Sequence, residues 1–139
     1  MAILKTKTMR LLKSFYIFSF LLLVSCGNQP QKISGVNETI EVSNMHWACD
    51  CADFVEVKFY KSNPNYEVKD TDCIFIEPSS KDNKIPDEYY DGEKSFEYHL
   101  ELSGQFYIDK GVPDSYNQKT PEIPEKAKVF RYDSYKIIK

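Results

Sequence analysis

The chain has 139 residues, with 18 Lys and Arg, 21 Asp and Glu, two His, four Cys and a net charge of −3. Residues 1–25 hold four of the bases (Lys5, Lys7, Arg10, Lys13) and no acid, which leaves 26–139 with 14 basic and 21 acidic residues, a net charge of −7. So acidic a segment argues against nucleic acid or an anionic lipid surface as the natural ligand, and its 114 residues suffice for one core but not two.

In chain order, a basic stretch (Lys5–Lys13) precedes the apolar run Ser14–Val24. That run is too short to span a bilayer and suits the core of a signal peptide. Leu23-Val24-Ser25-Cys26 follows, an aliphatic residue three before a cysteine and a small one just before it. The three features together resemble the lipobox signal of bacterial lipoproteins. The resemblance implies diacylglycerol on the Cys26 sulfur, cleavage before Cys26, acylation of the new amine (palmitate being a common chain) and a membrane-attached product. Each buried methylene contributes roughly 0.8 kcal/mol, so two or more acyl chains anchor stably where one does not. Gly27 rather than Asp after the cysteine favours the outer membrane, by resemblance to the sorting habits of some bacteria. Residues 26–37, polar and holding Gly27, Pro30 and Gly35, are expected to be the lipidated cysteine with a flexible tether. The folded domain is expected over 38–139.

Within that domain, Glu38–Val42 alternates, and Phe54–Tyr60 places Val55, Val57 and Phe59 on one face with Glu56 and Lys58 on the other. Cys73–Ile76 is a short apolar run closed by Pro78. Ile85–Tyr90 predicts one helical turn with Pro86 early in it. Ser95–Asp109 is the clearest element. Phe96, Tyr98, Leu100, Leu102, Gly104, Phe106 and Ile108 alternate with polar residues, the period of a strand with one buried face. Gly104 falls on that face and predicts a bend or bulge. Val112–Glu125, with three prolines, reads as a loop with a turn at Asp114–Asn117. Ala127–Ile138 is the last strand, and its apolar phase changes near Asp133 and Ser134. About five strands, one long and bent, predict an all-β single-domain barrel or sandwich. The strand order loosely resembles an OB-fold barrel. The abundance of Lys, Asn, Tyr and Ile resembles small lipoproteins of Bacteroidota.

The chemistry-bearing cluster is Met45-His46-Trp47-Ala48-Cys49-Asp50-Cys51, with Cys73 downstream. With Cys26 lipidated, three cysteines remain in an oxidising compartment. Cys49 and Cys51 are two apart, where a mutual bond is geometrically awkward in an extended chain. The expectation is therefore a structural disulfide from Cys49 or Cys51 to Cys73, closing a loop of roughly 20–25 residues and contributing about 3 kcal/mol. The alternatives are a zinc or copper site using His46, Cys49, Cys51 and Cys73, and a thiol-exchange pair with His46 lowering a thiol pKa.

Trp47 reads as core packing beside a disulfide. Glu97, His99 and Glu101 form a row on the polar strand face, suited to metal binding or acid–base work but more simply a solvated face. Tyr89 and Tyr90 with Asp87, Glu88 and Asp91 make an acidic aromatic patch. Tyr107, Tyr116, Tyr132 and Tyr135 could line a sugar- or peptide-binding groove. Asn37-Glu38-Thr39 fits a glycosylation sequon that carries no weight in a bacterial lipoprotein. The nucleophile-elbow, zinc-helix, phosphate-loop and dinucleotide motifs are all missing. The expected function is therefore a membrane-anchored, non-catalytic binding or structural module of the cell envelope, free of cofactor, with an envelope protein as possible partner.

Overall fold

A computed structural model describes residues 27–139; the signal sequence, the lipobox Leu23–Cys26 and Cys26 itself lie outside the described residues. The five strands are β1 (Glu38–Asn44), β2 (Phe54–Glu56), β3 (Phe75–Pro78), β4 (His99–Phe106) and β5 (Val129–Ile138). They form one sheet in the order β2-β1-β4-β5-β3. All neighbours are antiparallel except β3, which runs parallel to β5. The helices are single turns: α1 (Lys58–Lys61), α2 (Asp87–Tyr90) and α3 (Lys94–Glu97). The protein is thus an all-β domain, and among the described residues no helix is long and apolar enough to cross a membrane.

The sheet curls into a half-barrel whose edge strands touch at one residue pair. Phe54 N donates to Ile74 O at 3.2 Å, and Ile74 N returns a bond to Phe54 O at 2.7 Å. The sheet's bulge comes where the alternation predicts it. Ser103 faces Ser134 but Gly104 faces Tyr132, leaving Asp133 as the extra residue of a bulge. A Cβ on Gly104 would land on the Arg131 carbonyl oxygen and 2.7 Å from Tyr132 Cα, so the close strand approach requires glycine. The interior of the curl is filled by Ile40, Val42, Phe54, Leu100, Leu102, Phe130 and Tyr132, with Ile85 and Tyr89 closing it from the 85–90 segment. These strand residues are all even-numbered, as one face of each strand must be.

Three sequence expectations need correction. The strand expected over 54–60 ends at Glu56, because Val57 turns helical (φ −57°, ψ −28°) and opens α1. Phe59 is left exposed, while Glu56 is buried and pairs with Lys58 at 2.6 Å. The strand expected over 95–109 is shorter at both ends. Ser95–Glu97 lies in α3, where Tyr98 N bonds back to Lys94 O at 2.9 Å. Phe96 and Ile108 consequently lie outside the interior, 70% and 68% exposed.

The third correction concerns the tether. Residues 28–35 are laid along the domain. Val112 N donates to Asn28 O (2.7 Å), Ile108 N to Lys32 O (2.7 Å) and Ser34 N to Phe106 O (2.9 Å), with Ile33 bridged to Tyr107. The Asp109 carboxylate accepts Gln31 N and Lys32 N, each at 2.9 Å. This strap extends β1 along the far end of β4, interrupted where Gly35 takes a φ of +80°. Gln105 fills the interruption, accepting from Gly35 N and donating to Asn37 Oδ1. A polar sequence hides the strap because its attachment is backbone pairing rather than apolar burial.

Candidate functional site

The outer face of β2, β3 and β5 is covered by loops. Val55, Phe75 and Val129 point outward from the sheet and pack with Ala52, Cys73 and Val112, flanked by Trp47, Tyr107 and Tyr116. This second layer brings most of the chemistry-bearing residues together.

Its organising residue is Asp50. The chain bends at residues 48–51, which draws the Cys49 and Cys51 Cα atoms to 5.4 Å, and the two form a disulfide. An extended chain would hold them roughly 7 Å apart, which is why the pairing was not expected. Cys73, the expected partner, is instead a buried thiol. It accepts a bond from Trp47 Nε1 at 3.3 Å, and burial pushes its pKa up. The bridge turns the Asp50 carboxylate inward onto the loop 116–120. Asp50 accepts from Tyr116 Oη at 3.0 Å, from Lys119 N and Thr120 N at 2.6 Å, and from Thr120 Oγ1 at 2.5 Å. Burial works to raise its pKa, but these four donors prevail and hold it at about 2.

The proposed metal set does not assemble. Cys49 and Cys51 spend their sulfurs on each other, and His46 is exposed, stacked on Phe96 at 3.8 Å. Among the described residues no group of three His, Cys, Asp or Glu side chains is placed to hold an ion. The Glu97-His99-Glu101 row does not form either, because Glu97 belongs to α3. His99 Nδ1 meets Glu41 Oε1 across the sheet at 2.8 Å, and Glu101 faces Lys136 at 3.7 Å.

Beside the Asp50 network lies the larger cleft, of ≈ 610 Å³, between β3, the 84–91 segment and the loop 115–119. Its volume is in the range of ligand sites. Phe75, Tyr90, Tyr116 and Tyr132 supply aromatic surface. Tyr90 is 42% exposed, whereas Tyr132 is buried, its phenol pushed up to about 12 by that burial. Two ion pairs stand in the lining, Lys119 with Asp53 at 2.7 Å and Lys84 with Asp87 at 3.1 Å. Burial pushes the Asp53 carboxyl up against the pull of Lys119, and its Oδ1 is buried with no hydrogen-bond partner. Of the tyrosines singled out in the sequence, Tyr90, Tyr116 and Tyr132 meet here. Tyr89 and Tyr135 pack on the interior, and Tyr107 donates to Glu77 at 2.6 Å in the outer layer. Glu88 and Asp91 flank Tyr89 and Tyr90 in the chain, and Asp91 lines the cleft.

A smaller groove of ≈ 350 Å³ includes Cys51 and Cys73 in its lining. The sequence reading missed Asp50, Asp53, Lys119, Thr120 and Gln29. Asp50, enclosed by two cysteines, was the one with a local signal. The others act through partners far along the chain. Comparison with known proteins finds no match, neither a family model nor a curated protein nor a solved structure.

Proposed function

We propose that this protein is an envelope lipoprotein, held through lipid on Cys26 at the outer membrane, whose domain binds a neutral, polar ligand in the tyrosine cleft without transforming it. The observation that carries the binding reading is the cleft itself: aromatic faces between two internally paired charges, beside a loop pinned by Asp50. Paired charges favour an uncharged partner, and the rings offer flat apolar surface edged by hydrogen-bonding groups. A short saccharide matches that chemistry, with its C–H faces on Tyr90 and Tyr116 and its hydroxyls toward Asp53, Asp87 and Asn117. The test is an amide-shift titration with a panel of short neutral oligosaccharides. Shifts at Tyr90, Tyr116 and Asn117 are expected, and Tyr90→Ala should weaken binding about tenfold. Shifts elsewhere, or affinity untouched by Tyr90→Ala, would defeat the reading. The anchor is tested separately, by the acyl mass on Cys26 and by release of Cys26→Ala from the membrane fraction.

One observation favours a second reading, thiol exchange: Cys49 is exposed, and Cys51 shares a groove with the Cys73 thiol. In that chemistry a substrate dithiol passes two electrons and two protons to the Cys49–Cys51 bridge and leaves as a disulfide. Stoichiometric oxidation of a model dithiol, one per protein without any other oxidant and abolished by Cys49→Ser, would support it.

A further inference from the structure

The strap bears on how the domain meets a bilayer. Covalent geometry bounds the distance: only Gly27 separates Cys26 from Asn28, a reach of at most about 7 Å. Asn28 is fixed, its carbonyl oxygen accepting from Val112 N at 2.7 Å. A Cβ on Gly111 would strike that oxygen and come within 2.8 Å of Pro30 N, so strap and domain are in direct backbone contact. Pro30 is buried there. Gln29 locks the same point. Its Nε2 donates to Glu77 at 3.0 Å and its Oε1 accepts from Asp114 N at 2.6 Å. Next along the surface is the turn Ile108–Lys110, bonded to Lys32 and exposed, with Ile108 apolar and Lys32 and Lys110 cationic. The backbone of the strap already occupies the one acid in that turn, Asp109.

We infer that the strap fixes the orientation of the domain on the membrane, with the Ile108–Lys110 turn and Lys32 as its contact with an anionic phospholipid surface. The inference rests on the lipid anchor proposed above. Two observations select a bilayer as the occupant: the strap leads toward Cys26 along this edge of the domain, and the turn joins an exposed isoleucine to Lys32 and Lys110, whose cations complement lipid phosphates locally although the domain as a whole is too acidic to be drawn to an anionic surface. An interfacial apolar residue with flanking cations is the arrangement that sits at a headgroup boundary. The strap also sets the position of the cleft. Gln29 is three residues from Cys26 and bonded to Asp114, so the cleft rim at Ser115–Asn117 is held within about 20 Å of the anchor.

The test uses the full acylated protein in phosphatidylethanolamine–phosphatidylglycerol nanodiscs doped with a gadolinium-chelating lipid. Amide broadening is expected to be strongest over 28–35 and 105–112, several-fold above that at Phe96, and to weaken at those positions in the Ile108→Asp/Lys110→Glu double variant. Acylated protein with uniform broadening, or with broadening centred on another face, overturns the orientation and leaves the anchor standing. Protein from cells with no acyl mass on Cys26 overturns both.

Discussion

The two faces of the sheet are built by different means. The interior is filled by alternate side chains of β1, β4 and β5, whose pairing is local in the sheet and continuous along it. The outer layer over β2, β3 and β5 is assembled from loops, each held by side-chain acceptors for distant backbone donors: Asp50 for residues 119 and 120, Asp109 for residues 31 and 32, Gln29 for residue 114. One face depends on apolar burial and the other on acceptor geometry, so the two should fail differently. The cleft lies where the two meet: Phe54 and Tyr132 come from the interior, Phe75 and Tyr116 from the outer layer, and its loop wall can be adjusted without disturbing the core.

The largest effect is expected inside. Phe130 is fully buried and packs edge-on against Phe106, with ring centroids 4.8 Å apart. Phe130→Ala should cost roughly 3–5 kcal/mol through lost burial and the cavity left behind. Urea denaturation should show the whole domain weakened in one transition. A loss below about 1 kcal/mol would mean that the half-barrel collapses around the gap, and that the interior is less specifically packed than its alternation implies.

The outer layer should instead loosen without global unfolding, and with a pH signature. The Asp50 pKa lies near 2 in the folded protein, against the usual 3.8. A carboxylate with a depressed folded pKa adds stability that is fully present above its unfolded pKa and is lost as pH falls through the folded one. The wild-type urea midpoint should therefore drop between about pH 4 and 2 more steeply than that of Asp50→Asn, which carries no titrating group there. Hydrogen exchange in the variant at pH 7 should accelerate over 116–120 and spare β4. Equal pH slopes in the two proteins would remove Asp50 as the organiser of this layer.

The same division explains what the sequence made legible. Five strands, the bulge at Gly104 and the phase break at Asp133 were readable because alternation reports directly which side chains face inward. The helical turn at 87–90 was readable from Pro86. The Cys49–Cys51 pairing was not, because the bends at 48–51 go with Asp50 contacts some 70 residues along, which no local pattern reports. The strap was not, because Gln29, Gln31 and Lys32 look solvated in composition, while the Gln29 side chain and the backbone of Gln31 and Lys32 are bonded to the domain. The Glu97-His99-Glu101 row was over-read, since alternation cannot tell a strand from a helical turn at its end. The cleft was half legible: the tyrosines stood out, but which of them converge depends on loop paths with no periodicity.

The disulfide should be a modest contributor. Chain-entropy reasoning assigns a three-residue loop about 1.5 kcal/mol, against about 3 kcal/mol for the long loop expected from sequence. Cys49→Ser/Cys51→Ser should lose about that much in urea denaturation at pH 7. Its main effect should be local, with faster exchange at 116–120 like that of Asp50→Asn, because the bridge aims the carboxylate. A loss near 3 kcal/mol would mean that in solution the bond runs to Cys73, a connectivity that peptide mapping of the oxidised protein distinguishes.

The smallest effect is expected on the solvated part of the sheet, where His99 meets Glu41. The two side chains are 33% and 31% exposed, and Glu41 also has Lys61 in reach at 3.7 Å. A contact so open to water contributes little, and removing the imidazole leaves Lys61 and solvent to serve the carboxylate. His99→Ala should therefore shift stability by less than about 0.5 kcal/mol and leave saccharide affinity unchanged. The variant tests the comparison because His99 belongs to neither packed layer: it sits on β4, between strands whose other faces are buried. A loss of 2 kcal/mol or more would show that this face is covered in solution by something that excludes water from the pair. A change in ligand affinity would show that β1 and β4 transmit strain around the curl to the cleft, and the two layers could then no longer be treated as independent.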